Sequence, residues 1–157
     1  MHKIILDQNI LNAIVDDEEF HQLFYETKNS GFIEPIFTQV HLDQSNPIKD
    51  IIKRDKMLFV INSCSTTTTY GHVDGLSRTG WSIPAPPGTL EEILGNQTVN
   101  DENRYDALLA STAFHEASFF VTDDRRLRNR CLTLDKQVMG GQEFKSYLKE
   151  FAAKEKT

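Results

Sequence analysis

Short apolar runs alternate with segments of helical period along this chain, and this alternation restricts the possible folds more than any other feature. The runs at residues 3–6 (KIIL), 32–38 (FIEPIFT) and 118–122 (SFFVT) are rich in β-branched and aromatic residues, which is typical of buried parallel strands. Residues 100–117 carry apolar side chains at helical spacing and lead into the last of these runs. Alternating strands and helices predict an α/β domain with a mostly parallel sheet.

The remaining elements are predicted from the same signals. A helix is expected within residues 16–31, and a closing helix is expected from about Gln142 to Ala153. Residues 39–55 are expected to be partly helical, with a break near Pro47. The run MLFVIN at residues 57–62 is interpreted as a third apolar run of the strand series. Residues 62–98 are rich in Ser, Thr, Gly and Pro and are expected to form a loop or β-hairpin insertion, with a short helix at residues 89–95.

Composition limits the class of protein. A length of 157 residues suits one domain with a buried core, and the formal net charge of -6 argues against nucleic-acid binding through a general positive field. Any polyanion must therefore meet a local basic patch. Cys64 and Cys131 lie far apart and show no C-x-x-C spacing, which disfavours a zinc cluster or a disulfide framework. No apolar run has the length of a signal peptide or a membrane span, so we expect a soluble, cytoplasmic protein without a membrane partner.

Aspartates stand next to the predicted strands, and their placement indicates where chemistry occurs. Asp7 follows the first run, Asp123 and Asp124 follow the run at residues 118–122, and Asp106 lies in the first turns of the helix before that run. Open parallel sheets bind ligands at the carboxyl ends of their strands, where these segments meet. Converging carboxylates repel one another unless a hard cation lies between them. The pattern predicts a site for Mg²⁺ or Mn²⁺ and phosphoryl chemistry.

These residues resemble the PIN domains, a family of metal-dependent nucleases most often directed at RNA. The stretch IILDQNIL at residues 4–11 resembles the opening strand and the Asp-x-Asn turn of the family. The stretch DALLASTAFHEASFFVTDDRRL at residues 106–127 resembles its second half, in which a helix-borne Asp precedes a strand that ends in Thr-x-Asp. The resemblance runs to about residue 150 and is weak at residues 62–98. It implies a three-layer α/β/α fold in one PIN-like domain that spans residues 1–157.

The resemblance also implies a function, a cofactor and partners. The implied function is Mg²⁺- or Mn²⁺-dependent hydrolysis of RNA, in some members as the toxin of a toxin-antitoxin pair. The expected partners are therefore RNA, an antitoxin-type protein and a second copy of the chain. Asp7, Asp106 and Asp124 are the implied catalytic and metal-binding carboxylates. Asn9 and Thr122 are expected to orient them by hydrogen bonds, and Asp123 is expected to support them.

One position departs from the family pattern. The family normally supplies another acid from the helix after the second strand, six residues beyond a Ser or Thr, and that spacing from Thr38 leads to Gln44. A neutral glutamine offers a carbonyl oxygen to a metal but no charge. Asp43 stands one position earlier and takes over the role if the helix is rotated or the strand ends differently. The sequence leaves open which of the two positions serves the metal.

Four arginines follow the last aspartate pair in the stretch FFVTDDRRLRNR at residues 119–130. Arg125, Arg126 and Arg128 are the best candidates to bind the RNA backbone, because the overall charge of the chain repels a polyanion. The structural alternative is a solvated helix face whose arginines are balanced by nearby acids. As an isolated run, the stretch fits both interpretations equally.

Each aspartate has a structural alternative, and the chain has two functional ones. Aspartate is a residue type that caps helices or closes turns, and this is the structural alternative for Asp7, Asp123 and Asp124. Asp106 stands near the start of a helix, where the helix dipole stabilises its charge without any metal. Gln44 motivates a degenerate PIN-like module that binds RNA or protein without cutting. The motif Asp7-x-Asn9 motivates a phosphatase with Asp7 as covalent nucleophile, but Asn9 then stands where a general acid is required.

Overall fold

The computed structural model describes residues 2–67, 69–70, 82–83, 101–116, 119–133 and 137–156, with the backbone alone at 69–70, 82–83, 101–104 and 106. In chain order the described elements are β1 (His2–Leu6), α1 (Gln8–Asp16), α2 (Glu18–Asn29), β2 (Ile33–Phe37), α3 (Gln39–Ser45), α4 (Ile51–Asn62), β3 (Ser65–Thr66), β4 (Thr69–Tyr70), β5 (Ser82–Ile83), α5 (Asp101–His115), β6 (Phe119–Val121), α6 (Arg125–Thr133), β7 (Val138–Met139) and α7 (Gly141–Glu155).

Five of the described strands form one sheet in the order β3-β2-β1-β6-β7, and every pairing in it is parallel. β1 lies at the centre, where Ile5 is paired with Ile36 of β2 on one side and with Phe120 of β6 on the other. Because the strands run in the same direction, the residues that follow β1, β2 and β6 all leave the sheet at its carboxyl edge. The parallel sheet predicted from the sequence is confirmed.

The two faces of the sheet bury different side chains, because successive residues of a strand point to opposite sides. On β1, Ile4 and Leu6 belong to one buried cluster and Ile5 belongs to the other. Side chains of α1, α2, α4 and α7 complete the first cluster, and side chains of α3, α5 and α6 complete the second. The chain therefore forms the three layers, α/β/α, that were predicted.

The structure corrects one predicted element and adds one that was not predicted. The run at residues 57–62 is the end of helix α4, in which Met57, Val60 and Ile61 are buried at helical spacing while Phe59 is 66% exposed. A short apolar run does not by itself distinguish a strand from a buried helix. Helix α1 was not predicted, since its three β-branched residues lower the helix propensity. Burial of one apolar face against the sheet outweighs that propensity.

The segment at residues 62–98 is described in part. β3 extends the main sheet, and β4 pairs with β5 in parallel. A hairpin pairs its strands antiparallel, so the two described strands do not form the hairpin that was one of the expectations. The helix expected at residues 89–95 lies outside the described residues. Among the helices that the structure describes, none is both long enough and apolar enough to cross a membrane.

Candidate metal centre

A buried hydroxyl connects two of the predicted metal ligands at the carboxyl edge of the sheet. Thr122, which follows β6 and is fully buried, donates a hydrogen bond from Oγ1 to Oδ2 of Asp7 at 2.8 Å. The same hydroxyl accepts a hydrogen bond from the backbone N–H of Asp124 at 3.1 Å. Asp7 is only 3% exposed, so its carboxylate is held in a protected position. The structure thus brings Asp7, Thr122 and Asp124 together.

The two aspartates after β6 have different contacts. Oδ1 of Asp124 accepts a hydrogen bond from the Leu127 N–H at 3.0 Å and so caps helix α6, as one structural alternative anticipated. Asp123 is exposed, and its Oδ1 accepts from the Gly141 N–H at 2.8 Å, at the start of α7. A Cβ atom at Gly141 would lie 3.0 Å from Oδ2 of Asp123, so the glycine permits this close approach. Asp123 ties α7 to the loop that carries Asp124.

Helix α5 brings the backbone of Asp106 towards the same edge. From Asp106 to His115 the helix rises roughly 14 Å, and β6 then returns roughly 10 Å from Phe119 to Thr122. α5 packs against β1 and β6 and ends shortly before β6 begins, so its N-terminal half extends towards the carboxyl edge. The Asp106 side chain is outside the described part of the chain, and its role as a ligand stays a prediction.

Helix α3 supplies the two positions that the sequence left open. Oδ2 of Asp43, which is half-buried, accepts a hydrogen bond from Nε2 of Gln39 at 2.9 Å. Oε1 of Gln44 is buried, and within the described residues it has no hydrogen-bond partner. A buried amide oxygen without a partner is costly, and a cation or a water molecule would satisfy it. Gln44 thus offers a neutral oxygen, whereas Asp43 offers a charged carboxylate that already accepts a hydrogen bond from Gln39.

Buried His41 was not anticipated from the sequence. The Thr38 N–H donates to Nδ1 of His41 at 3.0 Å, and Nε2 of His41 is 2.6 Å from the carbonyl oxygen of Leu6. Burial lowers the pKa of His41 to about 4, although the bonds to Leu6 and Thr38 favour protonation. The spacing Thr-x-x-His is a variant of the helix capping box, and this local signal could have identified the bond to Thr38. No local signal indicates the contact with Leu6.

Gln8 and Asn9, the two residues that follow Asp7, differ in their burial. Gln8 is buried and donates from Nε2 to Oγ of Ser45 at 3.0 Å, which joins the start of α1 to the end of α3. Asn9 is exposed, and no hydrogen bond of its side chain to a carboxylate occurs in the described regions. The orienting role expected of Asn9 therefore stays a prediction without a supporting contact, while Gln8 contributes a polar contact that was missed.

The arginines after Asp124 differ in their surroundings. Arg125 and Arg126 are exposed on the first turn of α6. Arg128 is directed towards α7, where Nη1 lies 3.8 Å from Oε1 of Glu143. A Cβ atom at Gly140 would lie 2.5 Å from that nitrogen, so the guanidinium covers the glycine. Arg125 and Arg126 are accessible to a phosphate backbone, whereas Arg128 makes an intramolecular contact.

The donor atoms at this edge suit a hard divalent cation. The segments that follow β1, β6 and β2 carry the carboxylates of Asp7 and Asp124 and the buried amide oxygen of Gln44, and these are ligand types that Mg²⁺ and Mn²⁺ prefer. Both ring nitrogens of His41 are engaged with backbone groups, so His41 does not add a nitrogen ligand. The described side chains alone contain no cluster of three His, Cys, Asp or Glu residues able to hold a metal. The third carboxylate expected from the sequence, that of Asp106, lies outside the described side chains and stays a prediction.

Comparison with known proteins identifies a similar fold but no similar sequence. No protein-family profile and no curated protein matches the sequence. A chain in the crystal structure of VapBC2 from Rickettsia felis, bound to a DNA fragment from their promoter, has a similar fold with a TM-score of 0.51. The two chains share 12% sequence identity over 88% of this chain and 98% of the other. At this identity the likeness concerns the fold alone, and it supports the PIN-like α/β/α architecture.

Proposed function

We propose that this protein is a divalent-metal-dependent ribonuclease of the PIN-like type. The observation that carries the proposal is the Thr122 hydroxyl, which links the Asp7 carboxylate to the Asp124 backbone at the carboxyl edge of a parallel sheet. Asp7 is almost completely buried, and it lies at the edge where parallel sheets bind their ligands.

In this proposal the residues of the chain have separate roles. Asp7, Asp106 and Asp124 would hold Mg²⁺ or Mn²⁺, which supplies Lewis-acid chemistry towards a phosphodiester. Thr122 orients Asp7 by its hydrogen bond, and Gln44 offers a neutral oxygen in place of the usual acid. Arg126, exposed beside Asp124, would bind RNA phosphates together with Arg125.

Cleavage of single-stranded RNA in the presence of Mn²⁺ tests the proposal. Asp106→Asn and Asp124→Asn are each expected to abolish cleavage, because each removes a charge from the metal site. Asn also caps helices well, so the Asp124 variant should keep its fold. Relief of repulsion between carboxylates should raise the melting temperature of both variants without metal. Asp55→Asn removes an exposed carboxylate on α4 and serves as the matched control, with cleavage expected to be unchanged.

The same experiment distinguishes the ribonuclease from its rivals. Retained cleavage in both the Asp106 and the Asp124 variants would refute the assigned roles. If wild-type protein shows neither cleavage nor a Mn²⁺-dependent rise in melting temperature, the chain is a degenerate module. The phosphatase alternative requires an accessible Asp7, and its side chain is almost completely buried. Detection of a phosphoryl-aspartate would nevertheless restore that alternative.

A partner protein is part of the proposal, since the structural neighbour is a component of the VapBC2 assembly. We place the contact with an antitoxin-type partner on the outer face of α4, where Ile52 is 71% and Phe59 is 66% exposed. Tyr25 of α2 lies against Phe59 with ring centroids 6.5 Å apart, and a groove of about 410 Å³ runs beside them. Exposed apolar side chains that lie close together on a surface favour contacts with another protein. Sedimentation of wild type and Phe59→Ser shows whether a second copy occupies the face instead.

A further inference from the structure

His41 connects α3 to the end of β1, the strand that leads into Asp7. Its side chain is completely buried and bonded at both ring nitrogens. The Thr38 N–H can only donate, so Nδ1 of His41 accepts and the neutral ring carries its proton on Nε2. That proton is donated to the carbonyl oxygen of Leu6 at a separation of 2.6 Å. The histidine thus holds a backbone group one residue before a candidate ligand.

The Leu6 carbonyl belongs to the peptide group that carries Asp7. On the other side of this peptide, the Asp7 N–H donates to the carbonyl oxygen of Val121 at 2.9 Å. Because the peptide group is planar, bonds to both its oxygen and its nitrogen determine its orientation. The direction in which the Asp7 side chain leaves the backbone follows from that orientation. His41 and β6 therefore hold Asp7 from opposite sides.

We propose that His41 is a positioning residue for the metal centre, which acts on Asp7 through the Leu6 carbonyl and couples Asp7 to helix α3. The inference rests on the proposed function, because it treats Asp7 as a metal ligand. His41 itself touches neither metal nor substrate. Groups that orient metal ligands typically change metal affinity or activity by about 10-fold to 100-fold when they are removed.

Two substitutions separate the bond to Leu6 from the bond to Thr38. In His41→Asn the amide oxygen takes the place of Nδ1, so the capping bond to Thr38 is kept and the donor to Leu6 is lost. In His41→Gln the longer side chain places an amide nitrogen near the position of Nε2, so a donor to Leu6 is kept. A residue that only stabilises the core would make both variants less stable and leave the metal affinity of the folded protein unchanged.

The experiment measures Mn²⁺ affinity by calorimetry on folded protein, for wild type, both His41 variants and Val60→Ala. Val60 is fully buried on α4, so its truncation is a control for loss of stability alone. We expect His41→Asn to weaken Mn²⁺ binding by about 10-fold or more, and His41→Gln and Val60→Ala to bind within about 3-fold of wild type. Equal affinity of His41→Asn and wild type would overturn the inference while leaving the ribonuclease proposal intact.

A second measurement needs no metal. Amide hydrogen exchange at Asp7 should accelerate by at least about 10-fold in His41→Asn relative to exchange at Phe120, because the Leu6–Asp7 peptide loses one of its two anchors. If wild-type protein binds no Mn²⁺, the proposed function fails and this exchange rate decides whether His41 positions Asp7. Unchanged relative exchange in His41→Asn would refute the positioning role regardless of the metal result.

Discussion

Replacement of Thr122 by valine tests the hydrogen bonds at the centre of the candidate site. Valine has almost the same shape as threonine, so the substitution removes the hydroxyl without leaving a cavity. The bond to the buried Asp7 carboxylate, at 2.8 Å, is of the charged class that contributes about 1.5–3 kcal/mol. The bond from the Asp124 N–H at 3.1 Å adds about 0.5–1 kcal/mol, since that group is only partly buried. We expect Thr122→Val to lower the free energy of unfolding by about 2–4 kcal/mol.

Urea unfolding at neutral pH with a chelator present measures this effect in the metal-free protein. Thr122→Ser is the control, because it keeps the hydroxyl and loses one buried methyl group, at a cost of about 1 kcal/mol. In the presence of Mn²⁺, Thr122→Val should also bind the metal about 10-fold to 100-fold more weakly, whereas Thr122→Ser should stay near wild type. If Thr122→Val unfolds within about 0.5 kcal/mol of wild type, the hydroxyl does not support Asp7 and the reasoning is refuted.

Three further predictions concern α3 and α6. Gln44→Glu should tighten Mn²⁺ binding and increase cleavage if Gln44 faces the metal, whereas Asp43→Asn should be the damaging change if Asp43 does. If neither substitution alters Mn²⁺ affinity or cleavage, α3 supplies no ligand. Because the pKa of His41 falls from its ordinary 6.5 to about 4 on folding, the unfolded chain binds the proton first as the pH decreases. The free energy of unfolding of wild type should therefore fall by about 2–3 kcal/mol between pH 6.5 and pH 4, relative to that of His41→Asn. Urea titrations with a chelator present measure both proteins. A difference between them that does not change with pH contradicts this prediction. Arg126→Gln should weaken RNA binding and reduce its dependence on salt by about one charge, while Arg128→Gln should mainly lower stability; equal RNA affinity of Arg126→Gln and wild type counts against the α6 interface.

The layers of the fold follow from local sequence patterns. The continuous apolar run of β1 indicates a strand that is buried on both faces, and the helical spacing in α5 indicates which side of that helix faces the core. Both signals lie within a few neighbouring positions. The same reasoning placed Asp7 and Asp124 at the carboxyl edge. The prediction of secondary structure missed α1 and was wrong for the end of α4. A short apolar run is compatible with both a strand and a helix, and its packing partners decide between them.

The contacts that define the candidate site were decided by the tertiary structure. Thr122 and Asp7 are 115 positions apart, and His41 and Leu6 are 35 apart. A local pattern predicts that such polar groups are buried, but not which of them meet, because their partners depend on how distant strands and helices are placed against one another. The sequence by itself determined the kind of sheet and the edge at which the segments carrying Asp7 and Asp124 leave it. Thr122 was expected from the family resemblance to orient the aspartates, and its bond to Asp7 agrees with that expectation. The bond of His41 to the Leu6 carbonyl was decided by packing, since a buried imidazole must find hydrogen-bond partners wherever the fold provides them.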